Sequence, residues 1–139
     1  MYLNYWAILG AAVLQFIVGA IWYSLLFGKL WGKMHGFDNL PKETQQKMMK
    51  EVGPFYIVQF IVTIVTTFIL AIFITYLPAD WNPYAMAGFF WLGFVVPTQV
   101  SSVIFGGTPG KWIVKKIAVQ AGASLICLEV AATVLHFFR

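Results

Sequence analysis

Apolar and polar positions fall along this chain in long blocks, not at the short period of a soluble helix or strand. Four apolar runs, 3–27, 55–77, 84–105 and 113–138, are separated by one long polar stretch and two tight turns. At ~1.5 Å per residue a helix as long as the first run measures ~37 Å, enough to cross a ~30 Å hydrocarbon core with some tilt. A secretory signal would need a basic leader and a shorter apolar core. No Lys or Arg precedes Lys29, so the first run reads as a span. The pattern predicts an all-α integral membrane protein with four transmembrane helices as two helical hairpins, in a single domain over 1–139. Tyr2, Tyr5 and Trp6 at one end of the first span, and Trp22, Tyr23 and Trp31 at the other, are the aromatics expected at the two interfaces. Ala7, Ala11, Gln15 and Gly19 recur every four residues and form a small, polar stripe on which another helix can pack closely.

The long polar stretch, 28–53, holds Lys29, Lys33, Lys42, Lys47 and Lys50 with Asp38, Glu43 and Glu51. Pro41 suits a first helical turn and Gly53-Pro54 a stop. Between them Gln45, Met48, Met49 and Val52 share one face. This predicts a short amphipathic helix on the membrane surface, with a solvated connector helix as the alternative. The turn at 77–83 carries Asp80 and no Lys or Arg. In the third run Pro97 removes the hydrogen bond to the Gly93 carbonyl and predicts a kink. Thr98, Gln99, Ser101 and Ser102 follow it and can satisfy freed backbone groups. A glycine-rich turn at 106–110 leads to Lys111, Lys115 and Lys116. The connections after the first and third spans thus hold eight of the nine basic residues, leaving only Arg139 on the other side. The positive-inside rule then predicts a multi-pass protein with both basic loops in the cytoplasm and both termini outside.

Composition excludes several classes. The chain is 60% hydrophobic and only 10% charged, whereas a soluble domain carries about 25% charged residues. The net charge of +4 does not imply a nucleic-acid partner, because the lysines lie in loops beside spans. The partner expected is the bilayer itself, with a second copy and a small ion or solute as further expectations. Four helices enclose little space, so a pore or carrier would need an oligomer. The single cysteine, Cys127, can form no intrachain disulfide and reads as a small packing residue.

The halves of the chain can be compared. Residues 24–31 close the first span and 102–112 close the third; both read Ser, two aliphatics, Phe, Gly, then Lys and Trp. Two like-oriented hairpins would form a parallel repeat about the membrane normal. Chance is the competing account, since these residues are common at membrane borders.

Glu129 is the principal chemical candidate, an acid among Ile126, Cys127, Leu128, Val130, Ala131 and Ala132. A charge in hydrocarbon is costly, so an intramembrane carboxylate is a functional hypothesis by default. On a helical wheel it shares a face with Ala118, Gly122, Ala132, Thr133 and His136. It could serve as a cation or proton site exchanging with His136, or as a hydrogen-bond node between helices. Gln15, Gln59, Gln99 and Gln120 could line a polar path, although intramembrane amides more often hold helices together. The break at Pro97 could expose backbone to a solute. His35 and Asp38 match no metal motif, and the turn at 106–111 lacks the spacing of a phosphate loop. No catalytic, cofactor or metal site is predicted, so the protein is not expected to be an enzyme. A transporter- or channel-like function leads, with Glu129, Gln99 and the Pro97 break near the pathway. The alternative is a non-catalytic protein that binds a lipid or protein partner through the basic loop of Lys42, Lys47 and Lys50. A lipid-modifying enzyme would have to rest on His35 with Asp38 or Glu129 with His136.

The residues Trp22-Tyr23, Leu26-Phe27-Gly28-Lys29 and Trp31, followed by Gly36, make the sequence resemble a family of bacterial membrane proteins, domain of unknown function 1761. The four-span layout with a lysine-bearing first loop is similar too. The resemblance implies a small bacterial inner (cytoplasmic) membrane protein with four spans, and it brings no reaction, ligand or site residue with it.

Overall fold

Lipid offers no partner for a peptide N–H or C=O, so a spanning segment must close its own hydrogen bonds, as a helix does. The computed structural model describes residues 2–78 and 80–139; residue 79, in the turn expected over 77–83, lies outside them. Helix α1, Tyr5–Ile21, starts at Asn4, whose side chain accepts the Ala7 N–H at 3.1 Å, and runs into a π turn at Trp22–Leu26. Helices α2, Gly28–Met34, and α3, Lys42–Val52, form the long connection, joined through Gly36 at φ +67°, where glycine is free of Cβ strain. Next come α4, Phe55–Tyr76, and α5, Pro83–Phe90, the latter capped by Asn82 accepting the Tyr84 N–H at 2.8 Å. A second π turn, Trp91–Val95, links α5 to α6, Val96–Phe105, and the chain ends in α7, Ile113–Phe137. Four stretches are long and apolar enough to cross a membrane: Tyr5–Leu26, Phe55–Tyr76, Pro83–Phe105 and Gly110–Phe137.

Pro97 acts one turn upstream of itself. The Val96 N–H reaches back to the Trp91 carbonyl, widening the helix into the π turn, and the Thr98 hydroxyl donates to the Phe94 carbonyl at 2.7 Å. A π turn is one of the ways a helix takes up such a fault. In the register that aligns Ser24 with Ser102, the two π turns do not coincide.

Helix α7 is the hub. It packs on α1, α4, α5 and α6. The packed core combines Ala7, Ile8 and Ala11 of α1, Leu70, Ala71 and Ile74 of α4, Ala87 of α5, and Leu128, Ala131, Ala132 and Leu135 of α7. Every one of these lies toward the lysine-poor end of its span. Ala11, Ala87, Ala131 and Ala132 are fully buried, and such small side chains let backbones approach where apolar burial alone gives no drive toward association. Two contacts finish this end: Asn4 Nδ2 donates to the Phe138 carbonyl at 3.0 Å, and the Phe73 and Phe90 rings meet edge-on at 4.8 Å. Helix α3 has no buried residue, and its Met48, Met49 and Val52 are exposed.

Candidate functional site: a neutral polar cleft

Toward the lysine-rich end the bundle opens. Helix α4 packs on α1 and α7 and meets the third span through α5, whereas α6 packs on α7. The space left between them is a cleft of about 1070 Å³ bounded by all four spans. The first span contributes Gln15, Gly19, Tyr23 and Ser24; α4 contributes Tyr56, Gln59, Thr63 and Thr66. The third span adds Thr98, Gln99 and Ser102, and α7 adds Gln120, Ser124 and Cys127. Among the described residues that line it, none carries a charge.

The floor is a hydrogen-bonded knot at mid-span. Gln15, 5% exposed, donates from Nε2 to Thr67 Oγ1 at 2.6 Å, and Thr67 donates in turn to the Thr63 carbonyl at 2.7 Å. The Cys127 thiol lies 3.6 Å from the Gln15 carbonyl. Below this knot begins the alanine core, so the cleft ends there. Beside it the Ser124 hydroxyl stands 3.0 Å from the Ala121 carbonyl and 3.4 Å from Gln99 Oε1.

Two tryptophans fix the walls. Trp22 Nε1 donates to the Val119 carbonyl at 3.0 Å, and Trp91 Nε1 donates to the Ala121 carbonyl at 2.8 Å, so the first and third spans are both pinned to α7. Each opens a π turn. Gly122 is required by this closeness, because a Cβ there would come 2.9 Å from the Trp22 ring. The wall between α1 and α4 is aromatic, with Phe16 edge-on to Phe60 at 5.6 Å and to Tyr56 at 6.4 Å. At the lysine-rich rim the Lys116 ammonium sits over the Trp31 ring at 5.7 Å, and Trp31 packs on Tyr23 at 4.8 Å. Lys111 and Lys115 lie over Trp112 at 5.5 and 5.4 Å. Stacking of this kind holds an ammonium at the interface while its charge stays toward water.

The four glutamines, one from each span, therefore meet in one cleft. Glu129 is not among the lining residues. It is half-buried on the α5–α7 seam, where its Oε1 lies 3.9 Å from the position a Cβ would take at Gly88. Its backbone carbonyl accepts the Thr133 hydroxyl at 2.8 Å, and among the described residues no Gln or Thr reaches its carboxylate across helices. His136 is exposed at the lysine-poor end, its ring 6.2 Å from that of Tyr84. Pro97 is adjacent to the cleft through Thr98, while Lys42, Lys47 and Lys50 lie outside it on α3. The His35 ring packs at a tilt against Trp31, their centroids 4.5 Å apart. Trp22 was legible only as an interfacial aromatic, and the bond made by Trp91 went unread. The available signal was an indole N–H inside an apolar span, which must find an acceptor.

Four apolar helices around a neutral polar cleft define a small polytopic membrane protein. The chain belongs to the DUF1761 family, described as a protein of unknown function, whose model matches residues 6–136. No curated protein and no solved structure matches it.

Proposed function

We propose that this protein is a transporter- or channel-like membrane protein that admits a small solute to the cleft from its lysine-rich side. The observation that carries this reading is the meeting of Gln15, Gln59, Gln99 and Gln120, each from a different span, around one cavity. Helix glue needs amides only at points of contact. A ring of amides and hydroxyls around open space instead replaces the hydration shell of a polar solute, and an uncharged lining suits a solute without strong net charge. The alanine core below the cleft then acts as the closed side of an alternating-access cycle. In this reading Glu129, on the seam between α5 and α7, binds a proton or cation during the cycle. The protein is read as non-catalytic, sited in the bacterial inner membrane with its lysine-rich loops in the cytoplasm.

Cys127 is a native reporter for this reading. A membrane-impermeant thiol reagent applied from the lysine-rich side should label Cys127, and a bound solute should slow the labelling. In proteoliposomes, flux of a panel of small neutral solutes should fall on Gln120→Leu with the fold retained. An unlabelled Cys127 in folded protein, together with no flux, would overturn the proposal.

The exposed Met48, Met49 and Val52 beside Lys42, Lys47 and Lys50 favour a second reading, in which α3 lies on an anionic membrane surface. Loss of vesicle-surface protection of α3 on Lys→Gln substitution would test it.

A further inference from the structure

The cleft is walled on three sides and open on the fourth. The Trp22 and Trp91 indoles close the seams of the first and third spans with α7, and Phe16 with Phe60 closes that between α1 and α4. Between α4 and α6 no comparable hydrogen bond or ring pair stands among the described residues. Gln59 and Thr66 on one side, and Thr98 and Ser102 on the other, line the cleft and are exposed. They stand at the open edge of the cleft within the spans, where acyl chains supply neither donor nor acceptor. Thr66 and Thr98 turn their hydroxyls back to their own helices, at 3.1 and 2.7 Å. The Gln59 amide reaches only the Thr63 hydroxyl, at 3.5 Å.

We propose that a second copy of this chain covers this side, so that α4 and α6 of two copies face one another and enclose a shared path. The proposal rests on the reading of the cleft as a solute site and supplies the wall that a single copy lacks. A two-fold interface must be self-complementary, because the same patch meets itself. Amides and hydroxyls satisfy that condition, since each both donates and accepts, and no like charges oppose each other. Thr98 and Ser102, one turn apart and small, allow close approach. The lysine asymmetry orients every copy the same way, which sets the two-fold axis along the membrane normal.

Cross-linking in proteoliposomes with a bifunctional thiol reagent long enough to span the two-fold axis tests it. In a Cys127→Ala background, cysteines are introduced singly by Gln59→Cys, Thr98→Cys or Ser102→Cys, with Ile17→Cys on the outward face of α1 as the control; Ile17 is 48% exposed. With that reagent the first three should give several-fold more covalent dimer than the control. Equal cross-linking at all four positions would signify random collision and overturn the proposal. So would monomer throughout, with a fluorophore at Thr98→Cys quenched by brominated acyl chains, which would make lipid the occupant. Three positions on two helices guard against a single misfolded variant. Dimers with no solute flux would overturn the solute reading alone, and flux through protein that never cross-links would overturn the second copy alone.

Discussion

The two halves of this bundle are built from the same four helices and solve opposite problems. At the lysine-poor end the helices pack through alanines, leucines and isoleucines, with Ala11, Ala87, Ala131 and Ala132 wholly buried. At the lysine-rich end the same helices carry Gln, Thr, Ser and Tyr at their inner faces, and α4 and α6 part to leave a cleft of about 1070 Å³. Side-chain size and polarity along each span decide where the backbone closes and where it opens. Gln15 is the boundary: it is buried as deeply as the core residues, yet its amide belongs to the polar half.

Substitutions should separate the halves in a graded order. The largest stability effect is expected from Ala11→Leu, which forces a branched side chain between α1 and its neighbours; overpacking costs about 1–3 kcal/mol, read by denaturant titration in detergent. Trp91→Phe keeps an aromatic, though smaller, ring and removes the donor to Ala121. Its expected cost is about 0.5–1.5 kcal/mol, and closer approach of thiol reagents to Cys127 would show that the wall had loosened. Gln15→Leu breaks the bond to Thr67 at a cost of about 0.6 kcal/mol, the average for hydrogen bonds between membrane helices. The same change should lower solute flux far more than stability. A stability loss as large as that of Ala11→Leu would move Gln15 into the core half and blur the boundary. Smallest is Ile61→Ala on the outward face of α4, where Ile61 is 54% exposed and lipid replaces the lost contacts; no measurable shift in unfolding is expected.

Glu129→Gln sharpens the comparison from outside the cleft. It should leave labelling of Cys127 and solute binding unchanged while removing any proton or cation dependence of flux. Loss of Cys127 labelling in that variant would instead tie the α5–α7 seam to the cleft's shape.

How much of this was legible before the fold was known differs from residue to residue. The spans were, because lipid demands long apolar helices and the lysines mark their ends. The helical face of Gln15, shared with Ala7, Ala11 and Gly19, was, because helical periodicity is local. That Gln15, Gln59, Gln99 and Gln120 meet was not, because they belong to four helices and no spacing along the chain encodes crossing angles. Pro97 was readable as a fault, but its resolution as a π turn opened by a tryptophan bound to α7 depends on a neighbour. Glu129 shows the limit most sharply. Its apolar surroundings in sequence mark an intramembrane acid, yet the seam with Gly88 rather than the cleft is where packing puts it.

The sequence by itself determined a four-span membrane protein with one basic and one neutral end, because hydropathy and charge act residue by residue against the bilayer. Only the tertiary structure decided that one end closes on alanine and the other opens on glutamine. That choice depends on which faces of four helices meet, and the faces meet only once the helices pack.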